Sequence, residues 1–197
     1  MRRLVIATRN PGKAREIAEI LSEPGVPLEI ASLADYPDAP EPEETGATFQ
    51  ENAVIKATAC AEFTGELSLA DDSGLEIDAL NGAPGIHSAR FAPTTPERNA
   101  RLLELMKDVP DGSRTARFRC VVAIARPDGS VQTCEGTVEG IIARSPKGSH
   151  GFGYDPIFYL PTLHKQMAEL SASEKNAISH RGKALHQAKK LLEAQGI

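Results

Sequence analysis

Asp71 and Asp72, followed by Ser73 and Gly74, close a short apolar run at Leu67–Ala70. In open α/β sheets, ligand sites lie beyond the carboxyl ends of strands. Adjacent carboxylates repel unless a cation lies between them or they point apart. Magnesium suits such a place, because it takes one or two carboxylates together with phosphate oxygens and water. Glu43 and Glu44, in an earlier loop, can supply a further ligand. Asp, Ser and Gly are also common turn residues, so the segment equally predicts an acidic turn between two strands. Lys56 lies one helical step from Asn52 and in line with Ala59 and Phe63. Leaning toward the protein, it needs an anionic partner, a carboxylate or a phosphate; leaning outward, it snorkels at the surface.

Three more groups carry chemistry-bearing side chains. Thr8-Arg9-Asn10-Pro11-Gly12-Lys13 joins an apolar run to a helix, with Asn10 as N-cap and Pro11 as first helical residue. Lys13 and Arg15 there oppose the helix macrodipole by ~0.3–1 kcal/mol each, a cost that a bound anion reverses. Amides at a helix N-terminus bind phosphate, although the segment lacks the spacing of a Walker A loop. Gly151-Phe152-Gly153-Tyr154-Asp155-Pro156 permits close backbone approach and a ring to stack on a flat ligand. It reads alternatively as a hairpin-like loop with a core phenylalanine. The last group is Lys175 with Ser179-His180-Arg181. Arg181 falls on the apolar stripe of Ile178, Leu185, Ala188 and Leu192, so its guanidinium points inward and demands an acceptor. Lys175 is six residues earlier, about 120° away on an unbroken helix. The two face one cleft only if the helix starts or breaks near Ser179. His180 reads either as a structural hydrogen-bonder or as part of the site.

The elements that position these groups follow from pattern. Leu4–Ala7 predicts a strand buried on both faces, and Ala14, Ile17, Ile20 and Leu21 predict the helix after it. Leu28–Leu33 is a second strand and Asp35–Glu44 a loop. Thr48 and Glu51 form a capping box opening a helix to about Phe63, with Gly65 beyond its end. Strands are expected at Leu67–Ala70 and Leu75–Leu80, a loop at Gly82–Pro96 and a helix at Pro96–Met106. Thr115–Ala125 and Val131–Ile142 predict long strands joined by a turn at Pro127–Ser130, and Ile157–Leu160 a short one. Ser171 and Glu174 open a helix running toward Glu193. Hairpins and βα units together predict a mixed sheet in one α/β domain over residues 1–197.

Composition sets outer limits. The 197 residues are 41% hydrophobic and carry a net charge of −5, which excludes a general basic surface for nucleic acid. Three cysteines at irregular spacing predict free thiols in a reducing cytosol, neither a disulfide framework nor a zinc site. Leu4–Ala7 is too short for a signal peptide's apolar region, and no run approaches the ~20 residues needed to span a bilayer. A cytoplasmic protein without membrane attachment is expected.

Six stretches occur in fixed order from Ala7 to Leu185: ATRNPGK, EETG with TFQENAVIKA, LADDSGLEIDAL, GAPGIHSAR, GFGYDPIF and ISHRGKAL. Together they resemble the inosine/xanthosine triphosphate pyrophosphatase family, also called XTP/dITP diphosphatases. The resemblance implies a two-lobed α/β fold with a long, twisted mixed sheet flanked by helices and an active-site cleft between the lobes. It implies a homodimer, a magnesium ion, and hydrolysis of ITP, dITP and XTP to monophosphate and pyrophosphate. Thr8, Asn10 and Lys13 would bind the triphosphate, within the loop that includes Arg9, Pro11 and Gly12. Position 9 is glycine in many members, so Arg9 is not essential. Asp72 would be a metal-linked general base, Ser73 would touch substrate, and Glu43 or Glu44 would complete the metal site. Lys56 and Lys13 would offset phosphate charge. Phe152, Gly153, Tyr154, Asp155, Lys175, His180 and Arg181 would hold the nucleoside, with Arg181 as the expected donor to the purine 6-oxygen. Two alternatives are a nucleotide-binding module without turnover and a septum-inhibitor-type pyrophosphatase acting on modified pyrimidine nucleotides. The GFGYD and SHRG segments argue against the second.

Overall fold

The computed structural model describes residues 2–22 and 28–195. In chain order the elements are β1 (Arg2–Ile6), α1 (Pro11–Leu21), β2 (Leu28–Ser32), α2 (Phe49–Thr64), β3 (Leu67–Ile77) and α3 (Thr95–Leu105). There follow β4 (Thr115–Ala125), β5 (Val131–Ile142), β6 (Phe158–Leu160), β7 (Lys165–Gln166), α4 (Ala172–Ile178) and α5 (His180–Ala194). The strands form one seven-stranded sheet in the order β2-β1-β3-β4-β5-β6-β7. β1 is parallel to β2 and to β3, whereas β6 is antiparallel to β5 and β7. The sheet is therefore mixed, as the combination of hairpin and βα signals predicts. No described helix is long and apolar enough to cross a membrane.

The chain forms two compact units. Unit 1 comprises Met1–Asp72, Cys120–Gly136 and Arg181–Ile197, and unit 2 comprises Ser73–Arg119 and Thr137–His180. Unit 1 has a core of Leu4 and Ile6 from β1, Ile17, Ile20 and Leu21 from α1, Leu69, Val122, and Leu185 and Leu192 from α5. Val5, facing the other way, is also fully buried, so the apolar run of β1 is buried on both faces, as a central parallel strand requires. Unit 2 packs Leu75 and Ile77 against Leu102, Met106, Phe118, Ile142 and Phe158.

Three expectations change. The predicted acidic turn is absent, because β3 runs unbroken through Asp71, Asp72 and Ser73. The turn expectation rests on Asp and Ser seeking water; here cations inside the protein satisfy both carboxylates. The helix expected from Ser171 toward Glu193 is two helices, since Ser179 adopts φ −66°, ψ 160° and ends α4. This is the break near Ser179 that the Lys175 and Arg181 spacing left open. The expected loop at Gly82–Pro96 holds a 3-10 turn at Gly85–Arg90.

A buried arginine ties unit 2 together. Arg114 is 2% exposed and donates to the carbonyls of Met106, Val109, Ile142 and Ala143. Two of these acceptors lie just past α3, where helix carbonyls lack partners. Arg114→Ala is expected to cost at least about 2 kcal/mol, because several buried acceptors lose their donor together. A lowered midpoint of chemical denaturation checks this.

Candidate active site

Successive side chains of a strand face opposite ways. Asp71 and Asp72 therefore lie on different faces of β3, each with its own cation. Lys56 Nζ donates to Asp72 Oδ1 at 2.9 Å and to Glu44 Oε1 at 3.0 Å. Asn52 Nδ2 reaches Asp72 Oδ2 at 3.5 Å. Asn52 and Lys56 are four residues apart on α2, hence on one face of it. The register of α2 is fixed by the predicted capping box between Thr48 and Glu51 and by Gly65, which ends the helix at φ 69°. Gly46 N donates to Asn52 Oδ1 at 2.8 Å, and a Cβ on Gly46 would come within 2.6 Å of that oxygen. Only glycine lets the loop bearing Glu44 close on α2 in this way. Burial raises the Asp72 carboxyl above its ordinary range, and Lys56 opposes this without overcoming it. Burial would lower Lys56, but Asp72, Asp71 and Glu44 hold it above its ordinary value. A carboxylate of enhanced basicity thus faces a lysine that stays charged.

Asp71 serves a different assembly, with its side chain fully buried. Lys13 Nζ lies 3.0 Å from Asp71 Oδ2, and Arg181 Nε donates to the same oxygen at 3.1 Å. Arg181 Nη1 donates to Glu16 Oε2 at 2.6 Å. Lys13 and Glu16 are three residues apart on α1, so the ions form a chain, Lys13–Asp71–Arg181–Glu16, joining α1, β3 and α5. Burial would raise Asp71, but Lys13, Arg181 and Lys56 hold it well below the usual carboxylate range. Burial would lower Arg181, and Asp71 and Glu16 reverse this. Cys120 Sγ approaches Asp71 at 3.8 Å; burial, with the Asp71 charge, pushes its thiol up. Burial pushes Cys134 up to about 12. Neither thiol is a nucleophile at neutral pH.

The Thr8–Lys13 loop has Asn10 as N-cap and Pro11 as first helical residue, as expected. Asn10 caps α1 by accepting from Gly12 N at 3.0 Å and Lys13 N at 3.1 Å. Ala14 N donates to Asn10 O at 2.9 Å, and Pro11 has no N–H. The amides that would cradle an anion are thus engaged within the loop. Thr8 Oγ1 accepts from Asn10 N at 3.2 Å. Arg9 Nη2 donates to Ala39 O at 2.9 Å.

In unit 2, Asp155 Oδ2 accepts from Lys175 Nζ at 2.6 Å and from Phe152 N at 2.8 Å. Lys175 Nζ lies 4.5 Å from the Phe152 ring centroid, a cation–π distance. Gly151 has φ +73°, and a Cβ there would come within 2.1 Å of Asp155 Oδ2. Lys175, Asp155 and Phe152 are thus one group. Tyr154 turns into the core and donates to Ser88 O at 2.9 Å. His180 is buried and stacks on Phe118, centroids 4.7 Å apart. Arg181 belongs to unit 1, where Asp71 and Glu16 engage Nε and Nη1 of its guanidinium. Ser73, half-buried on β3, is the first residue of unit 2.

Sequence reasoning missed Asn52 and Glu16 as partners of the site. The signal for Asn52 was present, as it lies four residues before Lys56 on a capped helix. Of the two candidate glutamates, Lys56 engages Glu44. Among the described residues no group of three or more His, Cys, Asp or Glu side chains forms a metal cage. Glu44 and Asp72, gathered on one ammonium, match the two carboxylates that magnesium takes when phosphate oxygens and water supply the remaining ligands.

The model of the Ham1 family matches residues 4–191. A dITP/XTP pyrophosphatase of Desulforamulus reducens is 54% identical over 193 residues, 96% of this chain and 95% of that protein. One of Geobacter sulfurreducens is 50% identical over 200 residues and all of both chains. Among solved structures, a HAM1 protein from Coxiella burnetii is 45% identical with a TM-score of 0.88, covering 98% of each chain.

Proposed function

The chain belongs to the Ham1 family, and on that premise we propose that it hydrolyses non-standard purine nucleoside triphosphates, such as dITP, XTP and ITP, to monophosphate and pyrophosphate. The observation that carries the reading is the Glu44–Lys56–Asp72 group in unit 1. Binding alone does not call for a buried carboxylate held at both oxygens beside a second carboxylate; orienting or deprotonating water does. Asn52 and Lys56 hold the two oxygens of Asp72, which aims the carboxylate. Lys56 then offsets negative charge developing on the phosphates, and Lys13 contributes from the edge of α1. The side chains of Thr8, Asn10 and Lys13, and not the α1 amides, hold the phosphate chain. Phe152, steadied by Lys175 and Asp155, offers a flat face to the purine.

A divalent metal, magnesium by this donor set, would be held by Glu44 and Asp72 and would offset charge on the substrate and the leaving pyrophosphate. The test is product analysis with ITP, XTP, dITP and the four standard triphosphates, with and without magnesium. Monophosphate and pyrophosphate are expected from the first three, with discrimination against ATP and GTP. Release of orthophosphate and diphosphate would overturn the reaction. Chelation is expected to abolish turnover, and full activity in excess chelator would remove the metal from the proposal.

A further inference from the structure

We propose that Asn99, a residue outside every motif above, is a positioning residue for the purine platform. It lies on α3 in unit 2, 8% exposed, and its Nδ2 donates to Gly153 O at 3.2 Å. Gly153 directly follows Phe152 and has φ +63°. A Cβ built on it would meet nothing within 4 Å. No side chain at this position locks the backbone, and glycine itself leaves it freer to rotate than any other residue. Upstream, the Phe152 amide is fixed by Asp155 Oδ2. Downstream, the Gly153 carbonyl is fixed by Asn99. The two bonds bracket the residue whose ring is to stack on the base.

The other end of the Asn99 amide separates positioning from contact. Its Oδ1 is closed to solvent and meets no donor among the described residues. The donor end of Asn99 is committed to the loop carbonyl. Sealed in this way, it influences the base through Gly153 and Phe152 without touching it.

This inference rests on the reading that Phe152 stacks on the base, and the test separates the two. Steady-state kinetics with ITP are measured for Asn99→Leu, which removes both polar ends, and Asn99→Asp, which keeps the volume but replaces the donor. Each is made in the wild-type and Phe152→Ala backgrounds. Losing one hydrogen bond to the loop is expected to raise KM about five- to tenfold with kcat little changed. In the Phe152→Ala background the same substitutions are expected to have almost no further effect on KM, the coupling that a double-mutant cycle reads. If Asn99→Leu fails to fold, Asn99→Asp carries the same comparison. An unchanged KM in Phe152→Ala itself would refute stacking. A raised KM in Phe152→Ala with wild-type KM in both Asn99 variants would refute the role of Asn99 alone. Equal loss in both backgrounds, or loss in kcat alone, would make Asn99 structural and overturn the proposal.

Discussion

Asp72→Asn is expected to leave a folded protein whose pyrophosphate release falls by about 10²–10⁴-fold, the usual contribution of a positioned acid–base group. The amide keeps the shape of the carboxylate and can still accept from Lys56. It loses the negative charge and the proton-accepting oxygen. Folding should not suffer, because burial already disfavours the charged form of Asp72 and Lys56 retains Glu44 as a partner. The checks are a pyrophosphate-release assay and a thermal midpoint on the same preparation. Near-normal release would remove Asp72 from the chemistry, whatever the metal dependence of the wild type.

Arg181→Ala is expected to have the largest effect on stability, about 3–5 kcal/mol, because removing one partner of a buried ion pair leaves charge uncompensated. Here two carboxylates lose the same guanidinium. Asp71 keeps Lys13, while Glu16 loses its 2.6 Å contact with the guanidinium. The sequence placed this arginine at the purine 6-oxygen, and the structure commits two of its nitrogens to acids. The two roles give opposite results. As an anchor, its loss lowers the denaturation midpoint and reduces activity on ITP and ATP together, through the displaced Asp71 and Lys13. As a base reader, it would shrink the ITP-to-ATP ratio of kcat/KM at unchanged stability. We expect the first; the second outcome would return Arg181 to the base.

What could be read in the sequence was local. Capping boxes at Thr48 and Ser171 placed two helix starts, and alternating apolar runs placed β4 and β5 at the residues where they occur. Periodicity put Arg181 on an inward face, which demanded an acceptor, and Lys56 in a half-apolar line, which left an anionic partner and a surface position equally open. It could not name the partners, since Asp71 is 110 residues from Arg181 and Asp72 is 16 from Lys56. The same blindness produced the acidic turn. Turn propensity treats Asp as a residue seeking water, and only the folded chain shows that lysine and arginine have replaced the water. A helix start advertises free N–H groups, but the side chain that makes Asn10 a good cap also engages them.

β3 carries the carboxylate tied to Lys13 and Arg181 and the carboxylate tied to Lys56 on neighbouring residues, and the pleat alone keeps them apart. A strand has a side-chain period of two, so a one-residue slip turns every side chain to the other face. One residue inserted between Leu69 and Asp71 would offer Asp71 to Lys56 and turn Asp72 away from it. The segment between the unit 1 core and the site can therefore change length only in steps of two, although it contains neither a turn nor a catalytic group of its own.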